Sequence, residues 1–141
     1  MRKTVLILAA TAMTIGGAAL PSIGQARERL TGEQELAKLL EGRVAEKPVS
    51  CIPLSLSNDS HIIDKTAIVY RFGNVIYVNR PNNPESLDSD KIMVTRLTGS
   101  ELCNLDIVSL HERFGFFYSG FVGLEQFVPY RRVKVAPPAH S

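Results

Sequence analysis

Thr66-Ala67-Ile68-Val69-Tyr70-Arg71-Phe72-Gly73-Asn74-Val75-Ile76-Tyr77-Val78-Asn79-Arg80 is the stretch that decides the fold. Two runs rich in β-branched and aromatic residues are separated by Gly73-Asn74 alone. That is a two-residue hairpin turn, where positive φ is cheap for glycine and tolerable for asparagine. The turn sets the register: Phe72 opposite Val75, Arg71 opposite Ile76, Tyr70 opposite Tyr77, Val69 opposite Val78. One face carries Ile68, Tyr70, Phe72, Val75 and Tyr77. The other carries Ala67, Val69, Arg71, Ile76, Val78 and Arg80. Apolar residues on both faces predict a hairpin that is central rather than peripheral.

Working outward, the period of two persists. Residues 49–56 alternate roughly, with Pro53 confining them to an edge. Residues 57–60 form a polar turn cluster, His61-Ile62-Ile63 is extended again, and Asp64-Lys65 turns the chain. Downstream, residues 81–86 are a loop by their Pro and Asn content, extended through 87–90. Strands are expected at 92–97, 106–111 and 125–130, with Thr98-Gly99-Ser100 as a turn. In the second of these strands, Ile107 and Ser109 fall on one side and Val108 and Leu110 on the other.

Residues 27–48 have a different rhythm. Thr31 and Gln34 form a capping-box pattern, with Glu33 and Glu35 in the first turn to suit the helix dipole. Leu36, Leu39, Leu40 and Val44 recur at helical spacing, and Pro48 forbids continuation. The expected architecture is mainly β: a small curled antiparallel sheet or open barrel with one short N-terminal helix. A twisted sheet with the helix across one face is the competing arrangement.

Residues 1–26 have the parts of a secretory signal. Arg2 and Lys3 precede an uncharged stretch over 4–20. Pro21 breaks it, and Gly24 and Ala26 supply the small residues a signal peptidase accepts. The apolar stretch is shorter than the about 20 residues a spanning helix needs. Cleavage near Ala26 would leave a periplasmic or secreted product with no membrane insertion. The expected division is signal peptide 1–26, helix and linker 27–48, β domain 49–135 and a disordered tail over 136–141.

The full chain has 16 Lys and Arg against 14 Asp and Glu. Both charged residues of the signal are basic, so residues 27–141 are formally neutral. Such a domain has no global field to draw nucleic acid or anionic lipid. The local cluster Arg131, Arg132 and Lys134 reads as a solvated strand end. The two cysteines of an exported chain most often pair, so a Cys51–Cys103 disulfide is expected. Neither has a neighbour in sequence that would activate a free thiol.

Several motifs together resemble a family of small exported proteobacterial proteins described only as a domain of unknown function. They are Cys51-Ile52-Pro53, Ile62-Ile63-Asp64, Ile68-Val69-Tyr70, Tyr77-Val78-Asn79-Arg80, Leu102-Cys103-Asn104-Leu105-Asp106 and Gly123-Leu124-Glu125-Gln126-Phe127-Val128-Pro129-Tyr130. The resemblance spans roughly residues 48–130. It implies export and the disulfide, and it implies no activity. Asp106 and Arg80, framed by it, are expected in an ion pair or in strand-end hydrogen bonds.

No catalytic motif emerges. His61, His111 and His140, with Asp59 and Asp64 near the first, lack metal-ligand spacing. The serines lie in no GxSxG or SxxK frame. Glu85, Asp88 and Asp90 cluster in a loop that offers little of the burial a catalytic acid needs. Tyr70, Phe72, Tyr77 and Arg71 have the composition of a base-stacking platform, but the aromatics are expected to fill the core. No metal, cofactor or nucleic acid is expected. The expected role is non-enzymatic, a binding or structural module whose partner is another envelope protein. A small enzyme with a site invisible in sequence is the alternative. The candidate surfaces are residues 81–91 and 112–123. Phe116, Phe117 and Phe121 are expected to be buried; exposed together, they would form an apolar patch requiring a partner.

Overall fold

A computed structural model describes residues 29–54 and 59–133. The expected signal, the tail, Lys134, His140 and the Ser57-Asn58 half of the expected turn lie outside the described residues. Asp59 and Ser60, the other half of that turn, belong to a strand.

The elements run α1 (Gly32–Leu39), β1 (Arg43–Ala45), β2 (Cys51–Pro53), β3 (Asp59–Ile63), β4 (Ala67–Phe72) and β5 (Val75–Asn79). A short 3-10 turn at Pro84–Ser86 precedes β6 (Lys91–Thr95), β7 (Glu101–Cys103), β8 (Ile107–Glu112), β9 (Tyr118–Gly123) and β10 (Phe127–Arg132). They form a five-stranded sheet in the order β1-β10-β5-β4-β3, a two-stranded sheet β2-β7 and a three-stranded sheet β6-β8-β9. Every named strand pairing is antiparallel, and the sheets do not close into a barrel.

The β4–β5 hairpin has the register its turn dictates, from Phe72 opposite Val75 to Val69 opposite Val78. Both strands are interior to the large sheet, and each face covers a separate core. On one face Ile68 and Tyr70 pack with Ile52, Leu102, Val108, Leu110, Val122 and Phe127, so the two small sheets roof that side. On the other, Ala67, Val69, Ile76 and Val78 pack with Ile63 and Leu36 of α1. The helix therefore lies across one face of a twisted sheet, the arrangement that competed with the open barrel.

Helix α1 begins with a complete capping box. The Gln34 N–H donates to the Thr31 hydroxyl, and the Gln34 side chain accepts from the Thr31 N–H. Its apolar stripe is shorter than the sequence period suggests. Gly42, at φ 70°, reverses the chain two residues before Val44, which is exposed in β1 beside β10. Gly32 is where α1 meets the β3–β4 turn. A Cβ there would collide with the Asp64 carbonyl and the Thr66 side chain.

Three tethers hold the layers. Cys51 and Cys103 stand opposite each other in the β2–β7 ladder, with Cα atoms 4.0 Å apart and sulfurs 2.07 Å apart, the geometry of the expected disulfide. Asp106 accepts the Cys103 N–H at 2.7 Å and donates its own N–H to the Cys103 carbonyl at 3.0 Å, closing a turn after the cysteine. Asn79, fully buried, holds the backbone of Glu125 between β9 and β10.

Candidate functional site

The sheet β6-β8-β9 has one face in the core and one face outside. Pairing assigns them directly. Met93, Leu110 and Gly120 form one inward row, and Thr95, Val108 and Val122 the next. The outward rows are Ile92, His111 and Tyr118, then Val94, Ser109 and Phe121, with Ile107 at the end of β8. None of these seven residues is an Asp, Glu, Lys or Arg. A sheet face toward solvent is ordinarily polar.

Aromatic residues dominate the β9 side. Exposure is 56% for Phe116, 71% for Phe117, 63% for Tyr118, 52% for Phe121 and 88% for Phe114; Ile107 is 57% exposed. The expectation that Phe116, Phe117 and Phe121 are buried is therefore corrected. The cause is local. A β-bulge at Leu110/His111 lets Tyr118 pair with His111 while Gly120, at φ 130°, pairs with Leu110. Ser119 is the extra residue, so Tyr118 and Phe121 share the outer face although three apart. Phe114 and Phe116 lie in the turn beyond the last pair, where no second layer reaches them.

The turn itself is built tightly. Phe116 has φ 53°, a region that costs a bulky L-residue, and its ring stacks on His111 at 4.4 Å between centroids. His111 also meets Tyr118 edge-on at 5.8 Å, and its Nδ1 is 3.2 Å from the Phe116 carbonyl oxygen. Gly115, at φ 79°, sits under the Phe117 ring, where a Cβ would collide. The outer edge of β9 is capped rather than open. Asn83 Nδ2 donates to the Phe121 carbonyl at 2.8 Å, the Gly123 N–H donates to Asn83 Oδ1 at 3.3 Å, and the Asn82 N–H donates to the Gly123 carbonyl at 3.1 Å.

The other residues singled out by sequence are dispersed. Tyr70 packs edge-on against Phe127 at 5.8 Å, and burial pushes its hydroxyl well above the ordinary tyrosine range. Phe72 and Tyr77 meet edge-on at 5.2 Å beside the same core, while Arg71 is exposed. They form no stacking platform. Arg80 and Asp106 do not pair with each other: Arg80 makes a two-point contact with Glu33 at 2.5 and 2.9 Å, and Asp106 serves its own turn. Arg131 pairs with Glu46 at 2.8 Å.

His61 lies in β3 and His111 in β8. Among the described residues, Cys51, Glu101 and Cys103 are the group of potential metal ligands within mutual reach, and their two sulfurs are bonded to each other. Glu85, Asp88 and Asp90 line an open cleft of about 720 Å³ with Asp64, Lys65 and Lys91. Two of its carboxylates serve the loop's own backbone: Asp64 accepts the Ser89 N–H at 2.6 Å, and Asp88 accepts the Asp90 N–H at 2.9 Å.

No family model matches the chain, and no curated protein or solved structure matches it.

Proposed function

We propose that this protein is an exported, non-enzymatic binding module of the cell envelope, and that the outer face of β6-β8-β9 is its contact surface. The observation that carries this reading is the exposure of Ile107, Phe116, Tyr118 and Phe121 on one side of a sheet, joined by Ile92 and Val94. Apolar patches above a few hundred Å² on a monomer mark interaction sites. Depletion of charge at the centre of the patch, with aromatic enrichment, is the compositional mark of an interface core.

Further support comes from how the rest of the chain is used. The residues that carry the family resemblance serve the fold: the cysteines join β2 to β7, Asn79 and Asp106 hold connectors, and Phe127 fills the core. Export is supported by the targeting pattern of residues 1–26 and by the cysteine pair, since disulfides persist in oxidising compartments.

Capture from an envelope extract tests the surface. Wild-type protein and the Ile107→Asp variant are immobilised side by side. Components retained by the wild type and released by the variant are the expected result. Identical retention by both, or none by either, further copies of the chain included, would overturn the reading.

A further inference from the structure

We infer that the occupant of this surface is a second copy of the chain, packed face to face about a twofold axis parallel to β8; this rests on the contact surface proposed above. The outer face is graded. Its β6 column is aliphatic, with Ile92 and Val94, and its β9 column is aromatic, with Tyr118 and Phe121. Between them β8 carries Ile107, the small Ser109 opposite Val94 and Phe121, and His111 opposite Ile92 and Tyr118. A twofold axis along β8 exchanges the outer columns. The aliphatic column of one copy then lies on the aromatic column of the other, Val94 against Phe121 and Ile92 against Tyr118, and Ile107, Ser109 and His111 each meet their own counterpart along the axis. Large side chains meet smaller ones on both sides of the axis. Face-to-face sheets pack about 10 Å apart by this kind of interdigitation. An isologous contact requires one patch to be complementary to itself, and a large-to-small gradient across three strands has that property.

Two further observations favour the face of the sheet and a partner of the same kind. The free edge of β9 is occupied at Phe121 and Gly123 by Asn82 and Asn83, so a partner strand cannot extend the sheet there. The outward positions of the three strands, Ile92, Val94, Ile107, Ser109, His111, Tyr118 and Phe121, hold no Asp, Glu, Lys or Arg to attract an ionic partner or to set copies against each other. The area sets the size class of the contact. An aromatic side chain can bury 150–250 Å², so Phe116, Tyr118 and Phe121 at their observed exposures contribute roughly 350 Å². With Ile107 and the half-buried Ile92, Val94 and His111, one copy offers roughly 600 Å² and a pair hides about 1,200 Å². That is the lower end of specific interfaces, so the dimer is reversible and its population depends on concentration.

The test uses the protein expressed from its full sequence, followed by sedimentation velocity over a concentration series. The single variants Val94→Lys and Phe121→Glu are measured alone and mixed, with circular dichroism and melting as checks on folding. Wild type is expected to move from monomer to dimer as concentration rises. Each variant alone is expected to stay monomeric, because both contacts across the axis bury an unpaired charge. Their equimolar mixture is expected to dimerise, since one contact then pairs lysine with glutamate and the other keeps the native valine and phenylalanine. Wild type that stays monomeric at about 100 μM, where a contact of micromolar Kd is largely formed, would overturn the inference. So would a dimer indifferent to both substitutions, or one broken by each and not restored by mixing. A monomer that sediments with phospholipid vesicles through this face would also overturn it, in favour of a lipid surface. If monomeric wild type still retains envelope components that Ile107→Asp releases, the second copy fails and the contact surface stands. If that retention is also lost, both fail.

Discussion

Asn79 faces Glu125 with both ends of its amide: Oδ1 accepts the Glu125 N–H at 3.3 Å, and Nδ2 donates to the Glu125 carbonyl. The side chain stands in for a strand at a point where β10 has not yet begun. It is also the bulkiest polar side chain at the base of the main core, fully buried on the row of Ile68 and Phe127.

Removing that amide leaves the Glu125 backbone groups without their partner in a water-poor site. Asn79→Ala should lower unfolding free energy by about 2–3 kcal/mol, the cost of stranding buried polar groups. Asn79→Asp keeps an acceptor for the N–H but cannot donate to the carbonyl, and its carboxylate opposes that oxygen. Urea unfolding should rank wild type above both variants. An Asn79→Ala protein as stable as wild type would show that Glu125 is held by other means.

The Cys51–Cys103 bridge spans 52 positions of sequence. In the chain-entropy account, closing such a loop stabilises by about 4 kcal/mol, with the mechanism model-dependent. Cys51→Ser should therefore melt well below wild type in oxidising buffer. Reductant should lower the wild-type transition toward that of the variant and leave the variant unmoved. Superimposable wild-type melts with and without reductant would count against the bridge.

Beside the burial of Leu36, α1 is held by its close approach at Gly32 and by the Arg80–Glu33 contact. Gly32→Ala pushes a methyl group against the Asp64 carbonyl, which is backbone and cannot swing away. Overpacking of this kind costs about 1–3 kcal/mol. Amide exchange should accelerate first in residues 33–40. The ion pair is exposed and weaker, at most several tenths of a kcal/mol after solvent screening. Its hydrogen bond from Arg80 lowers the Glu33 pKa. The sign follows from that direction. The contribution is present above the unfolded glutamate value near 4.3 and disappears as pH falls through the lower folded value. Glu33→Gln should differ from wild type at pH 7 and converge with it in acid.

Phe116 occupies a left-handed backbone position, costing roughly 1–2 kcal/mol for an L-residue, while its ring gains a stack on His111. Phe116→Gly relieves the backbone and loses the ring. These effects oppose each other, so thermal stability should change by less than about 1 kcal/mol. Association through the outer face should nevertheless weaken. A large loss of stability in the monomer would mean that the ring supports the fold.

The central hairpin was legible because Gly73-Asn74 leaves a single sensible register, and that register places both apolar faces inside. The capping box of α1 was legible for the same reason, since its groups lie within one turn. What failed was what depends on partners distant in sequence. Val44 matches a helical stripe, yet Gly42 turns it into β1 because β10 offers an edge to pair with. Phe121 was expected in the core, and in an uninterrupted strand alternation puts Tyr118 and Phe121 on opposite faces. One bulged residue, visible only from the pairing with β8, moves them to the same outer face. The segment 112–123 could be named as a candidate surface from its phenylalanines, but not the contribution of Ile92 and Val94, which join it only through the β6–β8 ladder.

The asparagine pair at 82–83 has a consequence for growth. A protein that displays several bare rings beside an unguarded strand invites copy after copy to queue along the same backbone, and nothing in that geometry says when to stop. By filling those backbone positions from its own loop, this chain removes one route to an endless fibre while leaving its greasy flank available for an encounter that ends with two.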